Sequence, residues 1–215
     1  MAACGRDDFT YNPFVHPQGE HKATMIWLHD KDENHFDPVN FAKSMNLENV
    51  RWICPPMVYT NTSYDFGCNI KQDDQKTLDL AATLVASLFS SEPQNVIKGV
   101  GGSGMGAVAA LHFARNCALG HYPINPQVVV SMDGWLSIVG SIKSSVEATV
   151  GAAARAASQS ILLTHGTGYS EHLRLPYTRD DEVVVSLKEA GFGEVMFVPY
   201  SKSSLREMVI KSLLP

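Results

Sequence analysis

The chain has 215 residues, 45% of them apolar, enough for one globular domain spanning 1–215 with a sizeable core. Its net charge is −5 and no basic cluster stands out, which argues against nucleic acid and anionic membrane surfaces as electrostatic partners. The four cysteines, Cys4, Cys54, Cys68 and Cys117, are scattered without metal-type spacing and read as reduced intracellular thiols. No apolar h-region opens the chain and no stretch is long enough to cross a bilayer, so neither a signal peptide nor a transmembrane segment is expected.

Strand-like and helical runs alternate, the pattern of a mostly parallel sheet covered by helices on both faces. Phe9–Val15 reads as an edge strand and Ala23–Leu28 as a short buried one, followed by a polar loop from His29 to Asp37. Pro38 opens a helix through about Met45, proline being tolerated in a first turn. Val50–Cys54 is the next strand, stopped by Pro55 and Pro56. Asp73–Phe89 is the clearest amphipathic helix, with Leu78, Ala81, Ala82, Val85 and Leu88 on one face. Val128–Met132 reads as a strand, alanine-rich Val146–Ala157 as one helix and Ile161–Thr164 as a strand. Asp180–Ala190 reads as a helix, Glu194–Val198 as the last strand and Leu205–Leu213 as a closing helix.

The most informative stretch lies between these halves. Val96, Ile97 and Val100 lead into a knot of glycines, and Ala107, Ala110, Leu111 and Ala114 leave it at helical spacing. Strand, sharp glycine turn and helix are the context of a nucleophile elbow, G-x-S-x-G, which lifts one side chain above a sheet edge. Two frames are possible. Centring on Ser103 ends the pattern on Met105 instead of glycine. Centring one residue later gives Gly102-Ser103-Gly104-Met105-Gly106, with glycine at both outer positions, where a Cβ would keep helix and strand apart. The second frame suits the mechanics better. It puts Gly104, which has no side chain, where the nucleophile should be.

Gly99 through Val108 resembles, without a gap, the G-V-G-G-F-S-M-G-A-A run of the acyl-protein thioesterases, in the carboxylesterase and phospholipase branch of the α/β-hydrolases, particularly their plant members. Ser103 then stands in place of the Phe and Gly104 in place of the catalytic Ser. Further matches in family order are Ala23–His29, Arg51–Pro55, Gly134–Leu136, Ile161–Thr167, Ala190–Phe192 and Met196–Tyr200. The resemblance implies the α/β-hydrolase fold. It also implies descent from enzymes that hydrolyse acyl thioesters or carboxylic esters in the cytoplasm, without a cofactor.

Measured against that family, the catalytic parts are degraded. The histidine belongs between the last strand and the last helix, but Pro199–Ser204 runs almost directly onward and no histidine follows His172. General-base assistance of that kind is typically worth ~10²–10⁴-fold. Lys202 would serve as a base only with a strongly lowered pKa. The family's acid follows His165-Gly166-Thr167, where this chain lacks the aspartate; Glu171 is the nearest carboxylate and Asp133, after another strand, a substitute. The oxyanion donors fall by position on Lys31 and Met105, and His29-Asp30-Lys31-Asp32-Glu33 replaces H-G-L-G-D. Carboxylates at Asp30, Asp32 and Glu33 would repel an oxyanion.

Other constellations are weaker. Counting a calcium loop from Asp30 puts His35 and Phe41 where Gly and Glu are required, so no metal site is expected in 29–37. His112 and His121 flank a helix end and read as structural or exposed, and Trp27, Trp52 and Trp135 read as core. The elbow lies too far along the chain to be a first-turn dinucleotide motif. Three readings follow. The first is a defective hydrolase, a pseudoenzyme that keeps a pocket for an acyl chain, lipidated protein or small ester. The second is a weak esterase using Ser103 with an unorthodox base. The third is a non-enzymatic interaction scaffold.

Overall fold

The computed structural model describes residues 13–30, 37–56, 72–134, 142–166 and 178–200. Among them seven strands form one sheet in the order β1-β3-β2-β4-β5-β6-β7. β2 (Ala23–Leu28), β3 (Val50–Ile53), β4 (Ile97–Ser103), β5 (Val128–Met132), β6 (Ser160–Gly166) and β7 (Val195–Tyr200) run parallel. β1 (Phe14–Val15) closes one edge antiparallel to β3. All six residues of β2 are buried, which is why it reads as an unbroken apolar run instead of an alternating one.

The sheet separates two cores. On one side α1 (Pro38–Met45) covers Met25, Trp27, Trp52 and Val130, with Phe41 stacked 4.8 Å from the Trp27 ring and edge-on to Trp52 at 5.3 Å. Asp37 caps α1 by accepting from the amides of Val39 and Asn40, and Pro38 fills the first turn. On the other side α2 (Gln72–Ser90) and α3 (Met105–Ala118) pack over Ile26, Leu28, Val100 and Val129. α4 (Ile142–Ala148), α5 (Ala152–Ala157) and α6 (Thr178–Glu189) complete that face. Every residue of α3 except Arg115 is buried. A helix hidden all round needs small side chains for close approach, and five alanines supply them. Phe89 and Phe113, both almost fully buried, meet at 6.0 Å where α2 crosses α3; each contributes roughly 1.5–3 kcal/mol by burial.

Two expectations change, and a third falls outside the described residues. The edge strand covers only Phe14–Val15, and 9–12 lie outside the described residues. The alanine-rich helix is two helices, parted by a turn at Thr149–Gly151 in which Gly151 takes φ 73°. Alanine periodicity runs through that break, but a glycine in a helix interior costs about 1 kcal/mol and here ends it. The closing helix 205–213, with Trp135, lies outside the described residues.

His112 sits in the middle of α3, not at its end, and is buried against α2, whereas His121 is exposed. Its Nε2–H donates to Asp79 Oδ1 at 2.7 Å. Burial holds the imidazole pKa below its ordinary 6.5, although the Asp79 hydrogen bond and charge pull the other way. With the folded pKa depressed, the unfolded chain binds the proton more readily. The stabilisation is therefore full above about pH 6.5 and is lost as pH falls through the folded value. Thermal midpoints between pH 7 and pH 5 should fall less steeply in His112→Gln than in the parent; parallel slopes would remove His112 from the linkage. Burial also raises both described thiols, Cys54 to about 12 and Cys117 further, so neither is a nucleophile near neutrality.

Candidate active site

The elbow is built by close backbone approach. A Cβ on Gly106 would overlap the Leu28 carbonyl at the end of β2, and one on Gly102 would overlap both that carbonyl and Gly106. Only glycine lets α3 start this near the sheet. Between them Gly104 has φ 53° and ψ −118°, a backbone that L side chains rarely adopt. Ser103 is the last residue of β4, in register with Met132, and has no positive φ. The sharp turn thus falls on Gly104, the residue at the centre of the second frame.

Asp30, two residues beyond β2, occupies the place of the absent side chain. A Cβ built on Gly104 would overlap the Asp30 carboxylate. The same carboxylate accepts from the Met105 amide through Oδ1 at 3.2 Å. That amide is one of the two positions expected to bind an oxyanion. Asp30 therefore does more than repel negative charge there: it takes the donor, capping α3 from another segment of the chain. A carboxylate at the N-terminus of a fourteen-residue helix is favoured by the aligned peptide dipoles. The other expected donor, Lys31, lies outside the described residues, as do Glu171, Lys202, Asp32 and Glu33.

Asp133 follows β5 with φ 53°, unusual for a non-glycine residue. Its carboxylate lies 3.7 Å from Nδ1 of His165 in β6. The Gly104 amide donates to Met132 O and the Asp133 amide to Thr164 O, both at 2.9 Å. The ladder thus carries on past the strand ends and sets residues 104, 133 and 165 side by side along the carboxyl edge. That is where open α/β sheets place their ligand crevices. The sequence offered Asp133 as an acid with no histidine to orient. His165 was in view there only as part of a strand motif, because the expected histidine position was after β7.

Beside this edge a small cavity is lined by Ser131, Gly134, Leu163, Thr164, Val183 and Phe197. It has room for about one water molecule, far less than an acyl chain needs. Ser131 Oγ and Thr164 Oγ1 are buried there with no hydrogen-bond partner among the described residues. Among the described residues no three His, Cys, Asp or Glu side chains converge as a metal cage would require. No described helix is long and apolar enough to cross a membrane.

No family model and no curated protein matches the chain. Solved structures do. The chain is 29% identical to acyl-protein thioesterase 2 of Zea mays, covering 94% of this chain and 98% of that one with a TM-score of 0.75. Esterase PE8 aligns over 94% of this chain and 98% of its own at 13% identity and TM-score 0.65. SOBER1 of Arabidopsis thaliana aligns over 89% and 97% at 17% identity and TM-score 0.64; these two share the fold. The resemblance carried by Gly99–Val108 is borne out: the chain has the α/β-hydrolase fold and is similar within it to the branch of the plant acyl-protein thioesterases.

Proposed function

We propose that this is a catalytically defective member of the acyl-protein thioesterase and esterase group, a cytoplasmic pseudoenzyme in one domain. In this reading it keeps affinity for an acyl chain, a lipidated protein or a small ester at a place other than the water-sized cavity beside Ser131 and Thr164, but does not hydrolyse it through a serine. One observation carries the reading: the elbow turns on a glycine, and the Asp30 carboxylate stands where the nucleophile would be while engaging the Met105 amide. A serine hydrolase needs a hydroxyl at that apex and an unoccupied donor for the developing oxyanion. Glycine at the turn and the engaged Met105 amide support the reading that neither requirement is met.

The test is direct. The purified protein should not label with a fluorophosphonate probe and should hydrolyse p-nitrophenyl esters no faster than background. Labelling that disappears in Ser103→Ala would overturn the reading and restore Ser103 as the nucleophile.

A further inference from the structure

We propose that the cavity beside β5 is a binding site for a single water molecule, anchored by the Ser131 hydroxyl at the strand end that supports the elbow. The inference does not depend on whether the elbow is active.

Strand alternation aims the hydroxyl. Val129 belongs to the core under α2 and α3, whereas Val128 and Val130 belong to the core on the α1 side. Ser131, two residues beyond Val129, therefore faces the α3 side, where Leu163 of β6, Phe197 of β7 and Val183 of α6 line the cavity with it. The residue is 1% exposed, so bulk solvent does not reach its oxygen. Ser131 Oγ has no hydrogen-bond partner among the described residues, and Leu163, Phe197 and Val183 carry no polar side-chain atom to serve it. A hydroxyl buried in that condition has lost its hydration without compensation, which folded proteins seldom leave uncorrected.

Space and chemistry agree on the occupant. Room for about one water molecule excludes an organic ligand. A hard cation calls for about six or more oxygens, carboxylates commonly among them, and no described residue of this wall carries a carboxylate. Water needs only about two to four polar partners. Ser131 Oγ donates or accepts, and Thr164, also on the wall, has a carbonyl that takes the Asp133 amide at 2.9 Å and keeps a second lone pair. Gly134 leaves the hydroxyl accessible, since a Cβ there would come within 2.6 Å of Ser131 Oγ and 2.5 Å of Ala107 Cβ. Ser131 directly precedes Met132, whose carbonyl accepts the Gly104 amide, and the turn at Asp133 with φ 53° follows. The bound water thus braces the end of β5 on which the elbow rests.

A high-resolution crystal structure of the full chain should show one isolated density peak within hydrogen-bond distance of Ser131 Oγ. That peak should vanish in Ser131→Ala. A parent cavity without density, or a peak that persists in Ser131→Ala, overturns the proposal. The parent crystal decides the occupant even where the variant does not fold. Denaturant midpoints supply an independent sign. With water satisfying the hydroxyl, Ser131→Ala deletes a bonded group and should lower the midpoint at constant m-value. With the hydroxyl orphaned, the same deletion relieves an unpaired polar group; a midpoint unchanged or raised therefore overturns the proposal.

Discussion

Glu92→Ala is expected to lower the unfolding free energy by about 3 kcal/mol, with no change in whatever the carboxyl edge of the sheet binds. Glu92 follows α2 at the opposite rim, and its side chain is only 1% exposed. Its Oε1 lies 3.1 Å from a guanidinium nitrogen of Arg51, at the start of β3. Its Oε2 accepts from Thr24 Oγ1 of β2 at 2.6 Å, and His21 Nε2 reaches the same hydroxyl at 2.8 Å. One carboxylate therefore ties together three elements at the amino ends of the strands. Removing it leaves the Arg51 charge without its buried partner and the Thr24 hydroxyl, on a fully buried residue, without its acceptor. Arg51 keeps a quarter of its side chain in water and stacks over the Phe14 ring at 5.5 Å, which places the loss at the lower end for a broken buried pair. Glu92→Gln retains an oxygen for one donor and should fall between. Denaturant midpoints at constant m-value measure both; an alanine variant within about 0.5 kcal/mol of the parent would mean the network is ornamental.

Such a network was not readable beforehand, and the reason is general to this chain. The strands from Ala23 to Val198 are legible because each is a short apolar or β-branched run bounded by proline, glycine or polar residues. Pro38 marks its helix by fixing φ, and the spacing of Gly102, Gly104 and Gly106 marks the elbow because a Cβ at either outer position meets the Leu28 carbonyl. These are local constraints, written within a few residues of one another. Glu92, Arg51 and Thr24 come together only through strand order, as do Asp133 and His165, and no short window contains that order. Gly151 was hidden for the opposite reason: the alanines on both sides keep helical spacing through a turn that the backbone does not follow as a helix. Asp30 was visible as an aspartate where the family has glycine. Its destination was legible only by taking it together with Gly104, since the carboxylate fills the space that a Cβ at that position would need.

Gly104→Ser alone is expected to leave ester turnover at background and to destabilise the fold. At φ 53° and ψ −118° a non-glycine residue carries strain on the order of 1–3 kcal/mol. Its Cβ would also overlap the Asp30 carboxylate, a side chain that can swing away but then gives up the Met105 amide, a capping bond worth about 1 kcal/mol. The destabilisation comes from the Cβ and the backbone, not from the hydroxyl, so Gly104→Ala should match it closely. Because the two positions share one space, their effects should not add: with Asp30→Gly already in place, the second substitution costs only the backbone strain. Turnover stays low in the single variant because Asp30 and the new hydroxyl contend for the same few ångströms beside the Met105 amide. Paired esterase rates and denaturant midpoints decide the matter. A large gain in rate from Gly104→Ser by itself would mean that Asp30 yields its place readily. An unchanged midpoint would mean that the turn relaxes when a side chain is added, and that glycine at the apex is not what keeps this elbow folded.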